Sequence, residues 1–230
     1  MFDSFTLVAA TADLADERAA RGVADLVEFR MDLATDPLGQ LAAYDGELPL
    51  LVTNRPEWEG GDADGGTVDA ETARLEALEA ALGNDAVAAV DLELAALRRD
   101  ERAVSVAEQA DSLGVEVVVS VHDFAGTPSE RAMASLLSAA ASAGDVGKLA
   151  VTAHDREDAL ALLSATHAAD AAGERVATMA MGEAGRHTRA VAPTYGSKIG
   201  YAPVHAEEAT APGQYDLETL ADLVAQLRSQ

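Results

Sequence analysis

The chain has 230 residues and a formal net charge of −24, from 40 acidic against 16 basic side chains, and it contains no cysteine. Disulfides and thiolate zinc sites are thereby excluded, and so negative a field argues against nucleic acid or an anionic membrane surface as a partner. No apolar run approaches the ~20 residues of a membrane span, and Met1-Phe2-Asp3-Ser4 lacks the basic-then-apolar pattern of a signal peptide, so the chain reads as cytoplasmic.

Nothing in the interior reads as a linker, and we expect one domain over 1–230, large enough to bury a single core. The acidic residues are spread along the helical segments rather than gathered in a tail, and Lys148 and Lys198 are the only lysines. With abundant alanine, this is the pattern of a salt-adapted protein. At ~1 M salt the Debye length is only about 3 Å, which screens the self-repulsion.

Apolar runs rich in β-branched residues recur at 5–10, 26–31, 49–53, 87–92, 115–121, 146–151, 175–179 and 198–201, mostly apolar on both faces as buried parallel strands are. Helical patterns fall between them. Asp36-Pro37 supplies a cap and an N1 proline. The segment 67–83 carries Leu75, Leu78 and Leu82 and stops at Gly83, and 95–114 ends on Gly114. Thr127-Pro128-Ser129-Glu130 has the form of a capping box opening a helix that runs to Gly144. Segments 155–173 and 216–227 complete the set. Eight strands alternating with helices predict an α/β fold of the (β/α)8 TIM-barrel type. Its competitor, an open doubly wound sheet, lacks a Gly-x-Gly-x-x-Gly after the first strand, where Val8-Ala9-Ala10-Thr11 stands. Two long loops, 56–66 and 203–215, follow strand C-termini, the barrel face that carries chemistry, and are candidate lids.

Side chains two apart on a strand share a face. Near four strand ends such pairs are polar: Glu28 with Arg30, Thr53 with Arg55, Asp91 with Glu93, Ser120 with His122. Met179 and Met181 make an apolar pair at the same level of the seventh strand. Together they suggest a polar layer lining a pocket. Plainer readings stand beside this one. Glu28 and Arg30 can pair structurally, Asp91 and Glu93 can be solvated carboxylates or, with His122 and Asp123, metal ligands, and the methionines can fill core. Of five histidines only His122 ends a strand. Lys148 lies inside Gly147-Lys148-Leu149-Ala150-Val151. Either it snorkels to water from a strand end, or it loses solvation, which favours the neutral amine and makes it a nucleophile for a ketone or aldehyde.

These residues carry a family resemblance. Glu28-Phe29-Arg30, Arg55 with Glu59-Gly60-Gly61, Asp91-Leu92-Glu93, Ser120 with His122-Asp123-Phe124 and Thr127-Pro128 come first. Gly147-Lys148, Met179 with Met181-Gly182, Arg189, Tyr195-Gly196-Ser197 and Ala211-Pro212-Gly213-Gln214 follow. In this order and spacing the chain resembles the type I 3-dehydroquinate dehydratases, Schiff-base enzymes of the shikimate pathway. The resemblance implies dehydration of 3-dehydroquinate to 3-dehydroshikimate, on the route to the aromatic amino acids, with no metal or organic cofactor and in a homodimer. It implies Lys148 as the imine-forming lysine and His122 as general acid and base, oriented by Glu93 or Glu59. Arg189 would hold the substrate carboxylate, with Glu28, Arg30, Arg55, Met181, Thr210 and Gln214 around the hydroxyls and ring.

Three departures leave that chemistry untouched: Thr210 where serine is usual, Tyr195 where phenylalanine is frequent, and little chain ahead of the first strand. Two other readings compete. A Schiff-base class I aldolase on the same barrel needs a phosphate site near Gly182-Glu183-Ala184-Gly185, where Glu183 would repel the phosphate. A non-catalytic binding protein leaves an ionisable group on strand after strand unexplained.

Overall fold

In the computed structural model, which describes residues 1–205 and 213–228, the apolar runs form eight strands. They are β1 (Thr6–Thr11), β2 (Leu26–Arg30), β3 (Leu50–Thr53), β4 (Val87–Glu93), β5 (Glu116–Asp123), β6 (Val146–Thr152), β7 (Val176–Met181) and β8 (Ile199–Pro203). Neighbouring strands pair in parallel in the order 7-6-5-4-3-2-1-8, so the eighth returns to the first. The remaining seam is bridged at its lower end, where the Lys198 N–H donates to the Val176 carbonyl at 2.7 Å and the Thr178 N–H to Ser197 Oγ at 3.0 Å. The sheet is the wall of a nearly closed (β/α)8 barrel, as the alternation of strand and helix signals predicts.

Period-two alternation sorts the strand residues into two cores. Val8, Leu26, Leu51, Ala89, Val118, Val146, Ala177 and Ile199 point inward and pack with fully buried Phe2. Phe2 thus fills the bottom of the barrel, next to the ion pair between the Met1 amino group and Glu116. The alternate residues, among them Val27, Phe29, Val52, Val90 and Val119, pack outward against the helices. One step up from the inward apolar floor, the same alternation brings Glu28, Thr53, Asp91, Ser120 and Lys148 into the barrel, and all five are buried.

Helices α1 (Glu17–Ala20), α2 (Pro37–Ala43) and α3 (Val68–Ala81) follow the first three strands. Asp36 caps α2 through the Gly39 N–H, with Pro37 in its first turn, and Thr67 caps α3 through the Ala70 N–H. The single helix expected over 95–114 is instead two, α4 (Leu94–Arg99) and α5 (Glu101–Leu113). Asp100 separates them because its backbone is extended and its carboxylate caps the Arg102 N–H at 2.9 Å. Helix α6 (Glu130–Ala141) corrects a second expectation. Its cap is Ser129, which accepts from the Ala132 N–H, and not Thr127. The Thr127 hydroxyl donates to the Thr152 carbonyl at 2.9 Å and so ties the loop to β6 rather than opening the helix. Helices α7 (Arg156–Ala171), α8 (Thr188–Val191) and α9 (Leu217–Arg228) complete the outer layer.

Candidate active site

A cleft open to solvent at its mouth lies at the C-terminal end of the barrel. Glu28, Arg30, Arg55, Glu59, His122, Lys148, Met181, Arg189 and Gln214 all line it, so nine residues singled out from the sequence come together. Glu93 lies behind the wall, and Thr210 falls outside the described residues.

Lys148 points into the barrel from the middle of β6, with its side chain 6 % exposed. Its setting is not the wholly apolar one that the flanking Leu149-Ala150-Val151 suggested, because Asp91 Oδ2 lies 3.0 Å from Nζ. Asp91 is fully buried. Its other oxygen accepts from Ser120 Oγ at 2.7 Å and meets Arg55 Nη2 at 2.8 Å. Burial alone would push this carboxyl up, but Arg55, Lys148 and the Ser120 hydroxyl together hold it well below its ordinary range. Two cations therefore converge on one buried carboxylate.

Arg55 also donates to Glu93 Oε1 at 2.7 Å, and Arg74, reaching in from α3, donates to Glu93 Oε2 at 2.9 Å. Glu93 thus serves the two guanidiniums and not His122. Burial still pushes its carboxyl up. This arrangement commits Asp91 and Glu93, two of the three carboxylates left open as metal ligands, to cations. The pairing expected of Glu28 with Arg30 is also replaced. Arg30 makes a two-pronged contact with Asp32 at 2.9 and 2.6 Å, whereas Glu28 accepts from Thr53 Oγ1 at 2.8 Å. Asp32 additionally accepts from the Asp62 N–H, which fastens the 56–66 loop beside Arg30.

His122 is the penultimate residue of β5, with its side chain 12 % exposed. Burial, then the nearby Arg55 and Lys148, push its imidazole well below 6.5, with Asp91 opposing, so the ring is neutral at neutral pH. Glu59 is its carboxylate neighbour. Its Oε1 accepts from the His122 backbone N–H at 2.9 Å and lies 3.5 Å from Nδ1. Phe124 stacks on the ring at 5.9 Å, and its own ring closes over Gly60. Gly60 has φ +78°, which favours glycine, and a Cβ there would sit 2.2 Å from the Phe124 ring, which would have to swing aside.

Arg189, at the start of α8, is 4 % exposed. Among the described residues it has no carboxylate partner, and its Nε makes no hydrogen bond. Burial lowers it to about 10, which leaves it charged at neutral pH. Every other arginine lining the cleft is matched by an acid. Arg189 is the cleft arginine left without an acid among the described residues.

A model of the type I 3-dehydroquinase family matches residues 5–230. The chain belongs to that family. The 3-dehydroquinate dehydratase of Haloarcula marismortui is 60% identical over 231 residues, covering 99% of this chain and 98% of that protein. That of Halobacterium salinarum is 55% identical, covering 99% of each chain. Among solved structures, the 3-dehydroquinate dehydratase from Geobacillus kaustophilus superposes with a TM-score of 0.84 at 29% identity, covering 99% of this chain and 93% of that one. These haloarchaeal relatives agree with the salt adaptation read from the charge. Membership in the type I 3-dehydroquinase family makes the chain a hydro-lyase and displaces the aldolase and binding-protein readings.

Three side chains around the type I 3-dehydroquinase cleft escaped the sequence reading as partners: Asp32 for Arg30, Asp91 for Lys148 and Arg74 for Glu93. Arg74 had left a trace, since it sits one turn before Leu78 on the buried stripe of α3.

Proposed function

We propose that this protein removes water from 3-dehydroquinate through an imine formed on Lys148, giving 3-dehydroshikimate for aromatic amino-acid biosynthesis. The single observation that carries the reading is a buried lysine sharing one cleft with a neutral histidine, in a chain of this family. Abstracting a proton beside a ketone is slow because the carbanion is poorly stabilised. In the proposed sequence, Lys148 Nζ hands its proton to neutral His122 and adds to the carbonyl carbon, and the carbinolamine hydroxyl takes that proton as it departs as water, leaving an iminium that accepts the electron pair. His122 takes the proton from the adjacent carbon, the electrons move into an enamine, and their return expels the β-hydroxyl as His122 gives the proton back to it. Hydrolysis of the product imine returns the free amine.

Glu59 is the residue best disposed to orient His122, on its 3.5 Å approach to Nδ1. Arg189 suits the substrate carboxylate because a guanidinium can bind it with two parallel hydrogen bonds. Arg189, without an acid partner among the described residues, supplies a local attraction for an anion despite the overall charge. Glu28, Arg30, Arg55, Met181, Thr210 and Gln214 are assigned to the substrate's hydroxyls and ring on the resemblance. The same reading has the chain acting as one catalytic domain, without a cofactor, in a cytoplasmic homodimer. Lys148→Ala tests it: turnover of 3-dehydroquinate should vanish while substrate affinity stays within about tenfold, or about 1.4 kcal/mol. Substantial residual turnover would remove the imine role.

A further inference from the structure

Tyr201 stands on β8 with its side chain in the cleft, 5 % exposed. Lys148 Nζ lies over its ring, 4.4 Å from the centre. The phenolic hydroxyl is buried and makes no hydrogen bond among the described residues. Asp91 is committed to Ser120, Arg55 and Lys148, and Glu28 accepts from Thr53. A buried hydroxyl without a partner destabilises a folded chain, and phenylalanine would fill the same space without that cost. Such a group, placed beside the reactive amine, is suited to a partner that arrives with the ligand.

We propose that the Tyr201 hydroxyl is a substrate-binding group, donating a hydrogen bond to an oxygen carried on the carbon next to the one that Lys148 attacks. The inference rests on the dehydratase reading. Because Nζ lies over the ring whose edge carries the hydroxyl, a ligand joined to the amine brings the oxygen on its adjacent carbon to the side of the cleft where the phenol stands. Burial, with Glu28 and Asp91 close by, pushes the phenol well above 10, so it remains a donor throughout the working range. Arg55, which acts in the opposite direction, does not outweigh them.

Tyr201→Phe deletes only this hydroxyl. Measured on the full chain in molar potassium chloride, the variant should keep or raise the Tm of the unliganded protein. Its kcat/KM for 3-dehydroquinate should fall roughly tenfold or more, chiefly through KM, as expected of a bond made equally in bound substrate and transition state. Equal kcat/KM in variant and wild type would overturn the proposal. So would a Tm that drops together with kcat/KM, which would mean that the hydroxyl serves the fold through a bound water. A wild-type protein that neither turns over 3-dehydroquinate nor forms a borohydride-reducible adduct would sink the dehydratase reading itself, whereas an active wild type matched by an equally active Tyr201→Phe removes only the role of Tyr201.

Discussion

Asp91→Asn tests the electrostatic centre of the barrel. The wild-type carboxylate is fully buried and faces Lys148 Nζ at 3.0 Å, Arg55 Nη2 at 2.8 Å and Ser120 Oγ at 2.7 Å. Asparagine keeps the shape but neutralises neither cation, and its amide N–H groups would turn a donor toward one of them. Removing one member of a buried ion pair costs about 3–5 kcal/mol. At about 2–4 °C per kcal/mol for a chain of this size, the Tm should fall by roughly 6–20 °C. The site is too deep for added salt to screen the loss, so the drop should persist in molar potassium chloride. The folded-state carboxyl is held well below its ordinary value of 3.8, so its stabilising effect is complete above about pH 4 and fades as the pH falls toward the folded value. Thermal melts of wild type and variant should therefore diverge at neutral pH and converge in acid. A variant melting within about 2 °C of wild type at neutral pH would refute the reasoning.

Two further outcomes are expected. Arg189→Ala should raise KM by roughly 10–100-fold, the worth of hydrogen bonds to a charged group, while the Tm holds or rises because no protein carboxylate loses a partner; an unchanged KM would remove Arg189 from the carboxylate site. Because His122 is pushed well below 6.5, kcat/KM should stay level as the pH is lowered through 6.5, and an acid limb centred there would contradict a neutral, buried imidazole.

Strand-level organisation was legible because buried parallel strands leave a signature in any sequence. Runs such as Val117-Val118-Val119 are apolar on both faces, and the period of two then fixes which residues share the interior. That alone brought Glu28, Asp91, Ser120 and His122 to one end of one barrel. Partnership was not legible to the same degree. Which carboxylate meets Lys148 depends on the stagger of strands around the barrel, and a single strand does not carry that information. Pairing register sets Glu93 level with Ser120 and Ser120 level with Lys148, yet Asp91, two residues earlier on the same face, is the one that reaches the amine. Arg30 turned to Asp32 because the acid lies just past the strand end, where the chain bends back and a guanidinium can grip it with two prongs. The split between α4 and α5 was similarly hidden, since Asp100 reads as an ordinary polar helix residue until its backbone is seen to be extended. Tyr201 was passed over as one more aromatic in a strand, for nothing in the sequence tells a hydroxyl with a partner from one without.

The most direct measurement is the mass of the peptide carrying Lys148 after incubation with 3-dehydroquinate and borohydride. A product-mass adduct on Lys148 of the wild type, absent from Lys148→Ala, is the predicted result. Full turnover with no adduct, or an adduct on Lys198 instead, would contradict it.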